Sequence, residues 1–172
     1  MGAKSGMKLR SSAVLALLLA LAAAGCGGRA GSDALAGKQI LGSVETIRID
    51  EAELDFAGRI DTGAEASAIH ALDLELDGVG EGVVGSRIGF TLENERGQRR
   101  RLSGVVADVV QVRTAGGSEI RVRVPLQLSF RGVHKSVLVS LSDRSAMSHK
   151  LLVGRDWLGD DFLVDVTRDS SP

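Results

Sequence analysis

The segment IRVRVPLQLSF, residues Ile120–Phe130, alternates apolar and polar side chains along most of its length. Its aliphatic and aromatic residues occupy every second position, and arginine, glutamine and serine stand between them. Because successive side chains of a strand point to opposite faces, this period of two predicts a half-buried β-strand. Pro125 lies on the polar face and has no N–H to donate. We therefore expect this strand to lie at a sheet edge or to have its pairing interrupted at Pro125.

The same alternation recurs through the rest of the chain after residue 37, with turn signals such as Arg96-Gly97 and Arg131-Gly132 between the segments. Further strands are predicted at Gln39–Ile49, Glu53–Ile60, Ile69–Leu76, Arg87–Glu93, Leu102–Val112 and Val133–Leu141. Only Arg155–Leu158 favours a short turn of helix. These features predict an all-β architecture, a small barrel or closed sheet. With four Phe, one Trp and no Tyr, the core must rely on Val, Leu and Ile.

The N-terminal segment has the pattern of an export signal. Three basic residues, at positions 4, 8 and 10, precede the apolar run Ala13–Ala24. That run is shorter than the ~20 residues of a membrane-spanning helix. Cys26 is the only cysteine and follows small residues, so the segment resembles a bacterial lipobox, which implies lipidation of Cys26 and attachment to a membrane. The alternative is an ordinary signal peptide that leaves a free thiol.

The sequence accordingly divides into a signal peptide (1–26), a flexible tether (27–37), one folded domain (38–167) and a tail (168–172). Removal of the signal takes away three basic residues and no acidic ones, which leaves 18 basic against 22 acidic residues. This balance does not suggest nucleic acid as a partner, and the run Arg99–Arg101 lacks the interleaved aromatic residues of a nucleic-acid surface. The expected location is the bacterial cell envelope, with the domain facing the periplasm or the exterior.

Asp61-Thr62-Gly63-Ala64 follows the apolar end of a predicted strand and precedes small residues. One interpretation is a structural turn in which Asp61 caps local amides and Gly63 supplies a positive φ. A second segment, Leu151–Asp156, runs from apolar residues into a glycine and a short helical turn. Together the two segments resemble the retropepsin-like aspartic endopeptidase family, including a bacterial branch named after ATP-dependent zinc proteases. Ala68–Ala71 and Asp143–Met147 match further elements of that branch, whereas Glu65 and Ala66 depart from its pattern.

The resemblance implies a peptidase in which Asp61 is the catalytic carboxylate. Such chemistry needs two carboxylates that share one proton, and this chain supplies one, so the resemblance implies a homodimer around a two-fold axis. By the same resemblance, the Thr62 hydroxyl bonds across the dimer and the Gly63 amide orients the carboxylate. Ala64 would contact a peptide or protein substrate. Gly154 and Arg155 would support the loop from beneath.

A substrate also needs a cover, and the predicted hairpin Val109–Val124 is the best candidate for a flap. Its tip contains Gly116 and Gly117, which we expect to contact substrate. An ordinary hairpin is the alternative interpretation of this segment. Residues Gly78–Gly85, with four glycines in eight positions, form a competing candidate for a mobile loop.

No cofactor or metal is expected from the sequence. It has no His-Glu-x-x-His, and His70, His134 and His149 are widely spaced. We expect His70 to stabilise the active-site loop through a hydrogen bond. We expect Arg144 and Arg155 to form ion pairs. The alternative for Arg155 is that it braces the loop. Two other functions stay open: a non-catalytic envelope lipoprotein that binds peptides or acts as a scaffold, and a metal-dependent hydrolase.

Overall fold

The computed structural model of the protein describes residues 1–2, 35–77, 82–114 and 117–168. The chain divides into two compact units, Met1–Ala36 and Gly37–Pro172. The first unit lies almost entirely outside the described residues, and so do the predicted signal peptide, Cys26 and most of the tether. Among the described residues, no helix is long and apolar enough to cross a membrane.

The second unit is built from strands and one short helix, which confirms the predicted all-β class. The strands are β1 (Gln39–Leu41), β2 (Val44–Ile49), β3 (Leu54–Ile60), β4 (Ala68–Asp77), β5 (Arg87–Glu93), β6 (Arg99–Val105), β7 (Asp108–Thr114), β8 (Gly117–Phe130), β9 (Val133–Ser142), β10 (Leu151–Val153) and β11 (Phe162–Val164). The helix α1 (Arg155–Leu158) lies at the predicted position.

Six strands form a closed ring in the order β10-β3-β2-β8-β9-β4, and the ring closes because β4 also pairs with β10. The β3–β10 and β4–β9 pairs are parallel, whereas the other pairs of the ring are antiparallel. Strands β5 and β6 continue outward from β4, and β7 pairs with the first half of β8. Strands β1 and β11 form a separate parallel pair.

Strand β8, 14 residues long, connects these parts. One edge of β8 pairs with β9 from Arg123 to Phe130. The other edge pairs with β7 up to Arg123 and with β2 from Leu128 onward. Pro125 lies between these last two pairings, so its missing N–H removes no ladder bond to β7 or β2. Of the two predicted alternatives, interruption of the pairing is therefore the correct one.

The core is mainly aliphatic, as predicted, and it fills the inside of the ring. Trp157 of α1 is fully buried, donates from Nε1 to the Leu128 carbonyl oxygen at 3.1 Å and stacks on the Phe162 ring with 4.4 Å between centroids. The aromatic residues thereby attach the helix and β11 to the ring. The larger part of the core consists of the inward-facing residues of the alternating strands.

Two predicted strands are in fact four shorter ones. Gln39–Ile49 breaks at Gly42 and Ser43, where the Gly42 amide donates to the buried Glu45 carboxylate at 2.7 Å. Leu102–Val112 breaks at Val106 and Ala107, because β6 pairs with β5 whereas β7 pairs with β8. Apolar residues recur on both sides of each break, so the sequence pattern does not reveal that the chain changes its pairing partner.

The run Arg99–Arg101 is held by contacts within the chain. Arg99 pairs with Glu93, and Arg100 pairs with Glu53 at 3.6 Å. Arg101 crosses β5 to reach Glu75 at 2.6 Å and the Asp73 carbonyl oxygen at 2.6 Å, at a bulge where Asp73 has a φ of 51°. A Cβ on Gly89 would lie 2.5 Å from Arg101 Nη2, so a larger residue there would displace this flexible side chain from its present position.

Candidate functional site

The Asp61 loop begins where two parallel strands end together. The Asp61 amide donates to the Val153 carbonyl oxygen at 3.0 Å, and the preceding Ile60 amide donates to the Ser43 carbonyl oxygen at 3.0 Å. The β3–β10 pair, which ends at Ile60 and Val153, therefore determines the direction in which the loop leaves the ring. Sequence alone placed Asp61 after a strand but did not identify β10 as its neighbour.

The carboxylate of Asp61 is oriented by the loop that follows it. Its Oδ1 accepts hydrogen bonds from the Gly63 amide at 2.9 Å and from the Ala64 amide at 3.1 Å. Among the described residues, Oδ2 has no hydrogen-bond donor. Thr62 and Gly63 are exposed, and Ala64 and Asp61 are half-buried. The carboxylate thus has one oxygen fixed by the backbone and the other available to a ligand.

Arg155 braces this loop from the side of α1. Its Nη1 donates to the carbonyl oxygens of Thr62 at 3.1 Å and Gly63 at 3.0 Å. Its amide donates to the Ala64 carbonyl oxygen at 2.9 Å. Gly154 packs directly on the loop, since a Cβ at this position would lie 2.6 Å from the carbonyl carbon of Ala66. The segment Leu151–Asp156 therefore lies against the Asp61 loop. Arg155 and Gly63, which are in contact, are 92 residues apart in the sequence.

Ser67 and Asp156 form a buried polar link that sequence reasoning missed. The Asp156 carboxylate accepts from the Ser67 amide at 2.9 Å and from the Ser67 hydroxyl at 2.7 Å, and Ser67 is 0% exposed. The Ser67 hydroxyl in turn accepts from the Gly154 amide at 3.0 Å. The available sequence signal was a serine between two alanines at the start of an otherwise apolar stretch.

The hairpin predicted at Val109–Val124 is present as the β7–β8 hairpin, although Gly116 lies outside the described residues. Gly117 adopts a φ of 127°, which is accessible to glycine and strained for other residues. A cavity of about 640 Å³ lies between the hairpin and the segment after the Asp61 loop. The hairpin wall carries Val110, Val112, Arg113, Arg121 and Arg123, and the opposite wall includes Glu65, Ala66, Ala68, Ser140 and Asp156. Asp61 itself does not line this cavity.

The competing mobile loop, Gly78–Gly85, lies partly outside the described residues. Its last residue, Gly85, has a φ of 90° and donates its amide to the Val106 carbonyl oxygen at 2.7 Å. A second cavity of about 510 Å³ lies at β2 and the β8–β9 turn, near Arg48 and Arg131, and includes no residue of the Asp61 loop. Of the two glycine-rich segments, the β7–β8 hairpin is the one that lines a cavity beside the loop.

His70 is buried, with 1% of its surface exposed, but its contacts lead away from Asp61. Its Nδ1 accepts from the Arg144 amide at 2.9 Å and lies 3.5 Å from Asp143 Oδ1. Hydrogen bonds from Ser145 to the Asp143 carboxyl lower the pKa of that carboxyl. The contacts of His70 therefore stabilise the β9–β10 loop rather than the Asp61 loop.

The remaining histidines and arginines have separate partners. His134 Nδ1 lies 2.7 Å from the Ser129 hydroxyl, and the His149 carbonyl oxygen accepts from Arg144 Nε at 3.3 Å. Neither Arg144 nor Arg155 forms an ion pair in the described part of the chain. Both side chains donate to carbonyl oxygens instead, so for Arg155 the alternative of a brace for the loop is the one found. Within the described ranges, no group of three or more His, Cys, Asp or Glu residues could hold a metal ion.

A closed all-β ring with an Asp-Thr-Gly loop, a supporting glycine and short helix, and a hairpin beside the loop defines a retropepsin-like domain. The chain belongs to the RimB-like family, described as retropepsin-like aspartic endopeptidase RimB, whose model matches residues 40–171.

One curated protein and one solved structure are also similar to this chain over most of its length. A protein of Desulfotalea psychrophila named as a probable alpha-L-glutamate ligase is 29% identical over 136 residues, which is 74% of this chain and 28% of that protein. The chain therefore spans about a quarter of the length of this curated relative. A crystal structure of a Legionella pneumophila protein of unknown function superposes with a TM-score of 0.63 at 24% identity, covering 75% of this chain and 94% of the other.

Proposed function

We propose that this chain is an aspartic endopeptidase, which hydrolyses peptide bonds with a water molecule activated between the Asp61 carboxylates of two subunits. The main observation in support of the proposal is how Asp61 is held and exposed. Its Oδ1 is fixed by two loop amides, at 2.9 and 3.1 Å, on a loop whose next two residues are exposed. Because the chain belongs to the retropepsin-like family, we interpret Asp61 as the catalytic carboxylate.

In the proposed reaction, an ionised Asp61 takes a proton from water while the water oxygen bonds to the scissile carbonyl carbon. The protonated Asp61 of the other subunit donates its proton to the carbonyl oxygen. The tetrahedral intermediate then collapses as the C–N bond breaks and a proton passes to the amine nitrogen. Two carboxyl groups about 3 Å apart share one proton because they cannot both ionise easily, the arrangement for which aspartic proteases are the standard example.

The proposed homodimer explains why Thr62 and Gly63 are exposed in a single chain. Residues that meet across a two-fold axis must lie on the surface of each subunit. The Thr62 hydroxyl would bond across the axis. Arg155 holds the carbonyl oxygens of both residues from within the same subunit, so the loop would present a fixed surface to its partner.

The proposed substrate is a peptide that lies in the cavity between the β7–β8 hairpin and Ala64 to Ala68. The cavity of about 640 Å³ is within the usual size range of ligand sites, roughly 300–1,000 Å³. The hairpin would close over the peptide and exclude water. In this arrangement Gly116 and Gly117 would contact the peptide.

We further propose that the domain is held at the bacterial cell envelope by lipid on Cys26, facing the periplasm or the exterior. This part rests on the export signal and on the isolation of Cys26 in the sequence. Mass spectrometry of the mature N-terminus tests it: a lipidated Cys26 supports the proposal, and an unmodified chain that begins elsewhere contradicts it.

The ligase activity named for the Desulfotalea psychrophila relative is not proposed here, because this chain spans only 28% of that protein. The rival function for this chain is a retropepsin-like domain that binds peptides or acts as a scaffold without cleaving them. This rival and the peptidase differ in one measurable property, the dependence of peptide cleavage on Asp61.

The test compares Asp61→Asn with Asp55→Asn in a peptide-cleavage assay. Asp61→Asn preserves shape but removes the titratable carboxylate, and the expected loss is at least 1,000-fold, in the range for removal of a catalytic group. Asp55 forms a half-exposed pair with Arg48, so its substitution should leave cleavage unchanged. Specific activity should also fall on dilution, because dissociation removes the paired site. Cleavage by Asp61→Asn at the wild-type rate would refute the proposal.

A further inference from the structure

The turn between β5 and β6 reaches across to β3. Asn94, the first residue of this turn, is 1% exposed, and its Nδ2 donates to the Asp55 carbonyl oxygen at 2.9 Å. Its Oδ1 accepts from the amides of Arg96 and Gln98 at 3.1 and 3.0 Å. One buried amide side chain therefore closes the turn and docks it on β3, which fixes the position of the next residue, Glu95.

Glu95 connects the beginnings of two parallel strands with one carboxylate. Its Oε2 accepts from the Ala57 amide of β3 at 3.1 Å, and its Oε1 accepts from the Lys150 amide, directly before β10, at 2.7 Å. Each carboxylate oxygen thus binds one strand, and hydrogen bonds to an ionised acceptor are stronger than those between neutral groups. Because Glu95 is exposed, its substitution leaves no buried cavity.

The other end of the same strand pair holds the Asp61 loop. The β3–β10 pairing covers only three residues on each strand, up to Ile60 and Val153, and the Asp61 amide donates to the Val153 carbonyl oxygen at 3.0 Å. The amides of Ala57 and Asp61 are four residues apart on one chain segment and both donate on the side of β10. At about 3.3 Å per residue, the Glu95 contact lies roughly 13 Å from the Asp61 amide.

Strand β10 depends on contacts at its ends because it is short. It has three residues, and its pairing with β4 covers two of them. Gly154 and Arg155 follow directly, and Arg155 Nη1 donates to the carbonyl oxygens of Thr62 and Gly63. A shift of β10 along β3 therefore displaces the support of the loop together with the acceptor of the Asp61 amide.

We propose that Glu95 is a positioning residue for peptide cleavage, and that it acts by holding the beginning of β10 against β3. Glu95 does not line the cavity between the β7–β8 hairpin and the segment after the Asp61 loop. It therefore contributes to the rate of the chemical step through the position of Asp61, and not to substrate binding. This inference rests on the proposed peptidase function, and its tests are chosen so that each can fail separately.

The first experiment measures peptide cleavage by Glu95→Gln, Glu95→Asp and Glu93→Gln at one protein concentration. Glutamine offers one acceptor oxygen where Glu95 uses two, so we expect kcat to fall about tenfold while KM stays unchanged. Aspartate keeps both oxygens on a shorter side chain and should restore part of kcat. Glu93→Gln is the matched control and should keep the wild-type kcat, because Glu93 lies on the same hairpin but pairs with Arg99.

The second experiment measures amide hydrogen exchange by NMR and needs no peptide. In Glu95→Gln, the Asp61 amide should exchange about tenfold faster than in wild type, because the β3–β10 pair opens more often. The Asp50 amide, which donates to the Gln127 carbonyl oxygen at 3.0 Å, is the internal reference. Its exchange should be the same in both proteins.

The two experiments distinguish this inference from the function on which it rests. If the wild type cleaves no peptide, the peptidase proposal fails, and the exchange of the Asp61 amide still decides whether Glu95 positions the loop. In an active enzyme, the inference is overturned if either kcat or the Asp61 exchange rate of Glu95→Gln equals that of wild type. It is also overturned if Glu93→Gln loses as much kcat, or if the Asp61 and Asp50 amides accelerate equally, since Glu95 then has only a general effect on stability.

Discussion

The Asp61 loop and the base of the β7–β8 hairpin both lie at strand ends, but their polar groups are satisfied to different degrees. At the loop, Asp61 Oδ1, the Ser67 hydroxyl and the Asp156 carboxylate all have short hydrogen bonds within the chain. At the hairpin base, Arg121 Nε and Ser142 Oγ have none in the described part of the chain. The polar groups of the loop are therefore satisfied within the fold, whereas two buried polar atoms of β8 and β9 are left without a partner in the described part of the chain.

The largest effect on stability is expected when the contact beneath the Asp61 loop is overpacked. Gly154→Ala places a Cβ 2.6 Å from the backbone of Ala66, which cannot move aside as a flexible side chain would. We expect a loss of roughly 3 kcal/mol in the free energy of unfolding. Peptide cleavage should fall with it, because the clash displaces the loop. Denaturant unfolding measures the first effect and a cleavage assay the second.

Gly104→Ala is the matched control for this substitution. A Cβ at Gly104 would meet only side-chain atoms, at 3.5 Å or more from Phe90 and Val124. Alanine in place of a strand glycine should be neutral or slightly stabilising, because it reduces the conformational freedom of the unfolded chain. Equal losses in the two variants would show that the Gly154 contact has no special role.

A pair of identical substitutions compares the two regions directly. Ser67→Ala removes the hydroxyl that donates to Asp156 and accepts from the buried Gly154 amide, so it should cost about 1–3 kcal/mol. Ser142→Ala removes a buried hydroxyl that has no partner among the described residues, so it should be neutral or stabilising by up to about 1 kcal/mol. Thermal or denaturant unfolding of both variants provides the measurement. Similar losses at both positions would remove the contrast between the regions.

The smallest expected effect is a pH dependence of stability in a third region. There Asp50, in the β2–β3 turn, contacts the β8–β9 hairpin. The Ser129 hydroxyl, 2.6 Å from the Asp50 carboxylate, lowers the pKa of Asp50, and His134 contributes to the same shift. A carboxyl whose pKa is lower in the folded state stabilises the fold above its unfolded pKa, about 3.9. That contribution is lost as the pH falls through the lower, folded-state pKa.

The expected Asp50 contribution is below about 1 kcal/mol, since the side chain is partly exposed. The difference in melting temperature between wild type and Asp50→Asn should therefore be present at pH 6 and should shrink towards pH 2. A difference that stays constant over this range would show that the Asp50 charge does not stabilise the fold.

Much of the fold could be predicted from the sequence because its signals are local. The period of two in Ile120–Phe130 predicted β8, and Arg155–Leu158 predicted α1. The glycine turns also appear where expected: Arg131 and Gly132 both have positive φ, at 43° and 86°. The prediction for His70 was less successful, because its partner is the Arg144 amide, 74 residues away along the chain, for which the sequence has no local pattern.

By itself, the sequence determined the strand alternation, the Asp-Thr-Gly segment and its family, because each is encoded in a short run of residues. Only the tertiary structure decided that β4 pairs with β10 to close the ring, that Ser67 binds Asp156, and that Arg155 binds the carbonyl oxygens of Thr62 and Gly63. The physical reason is that side-chain period fixes which face of a strand is buried, but not which strand lies beside it. Contacts between distant segments follow from that pairing, and in this protein they position the proposed catalytic loop.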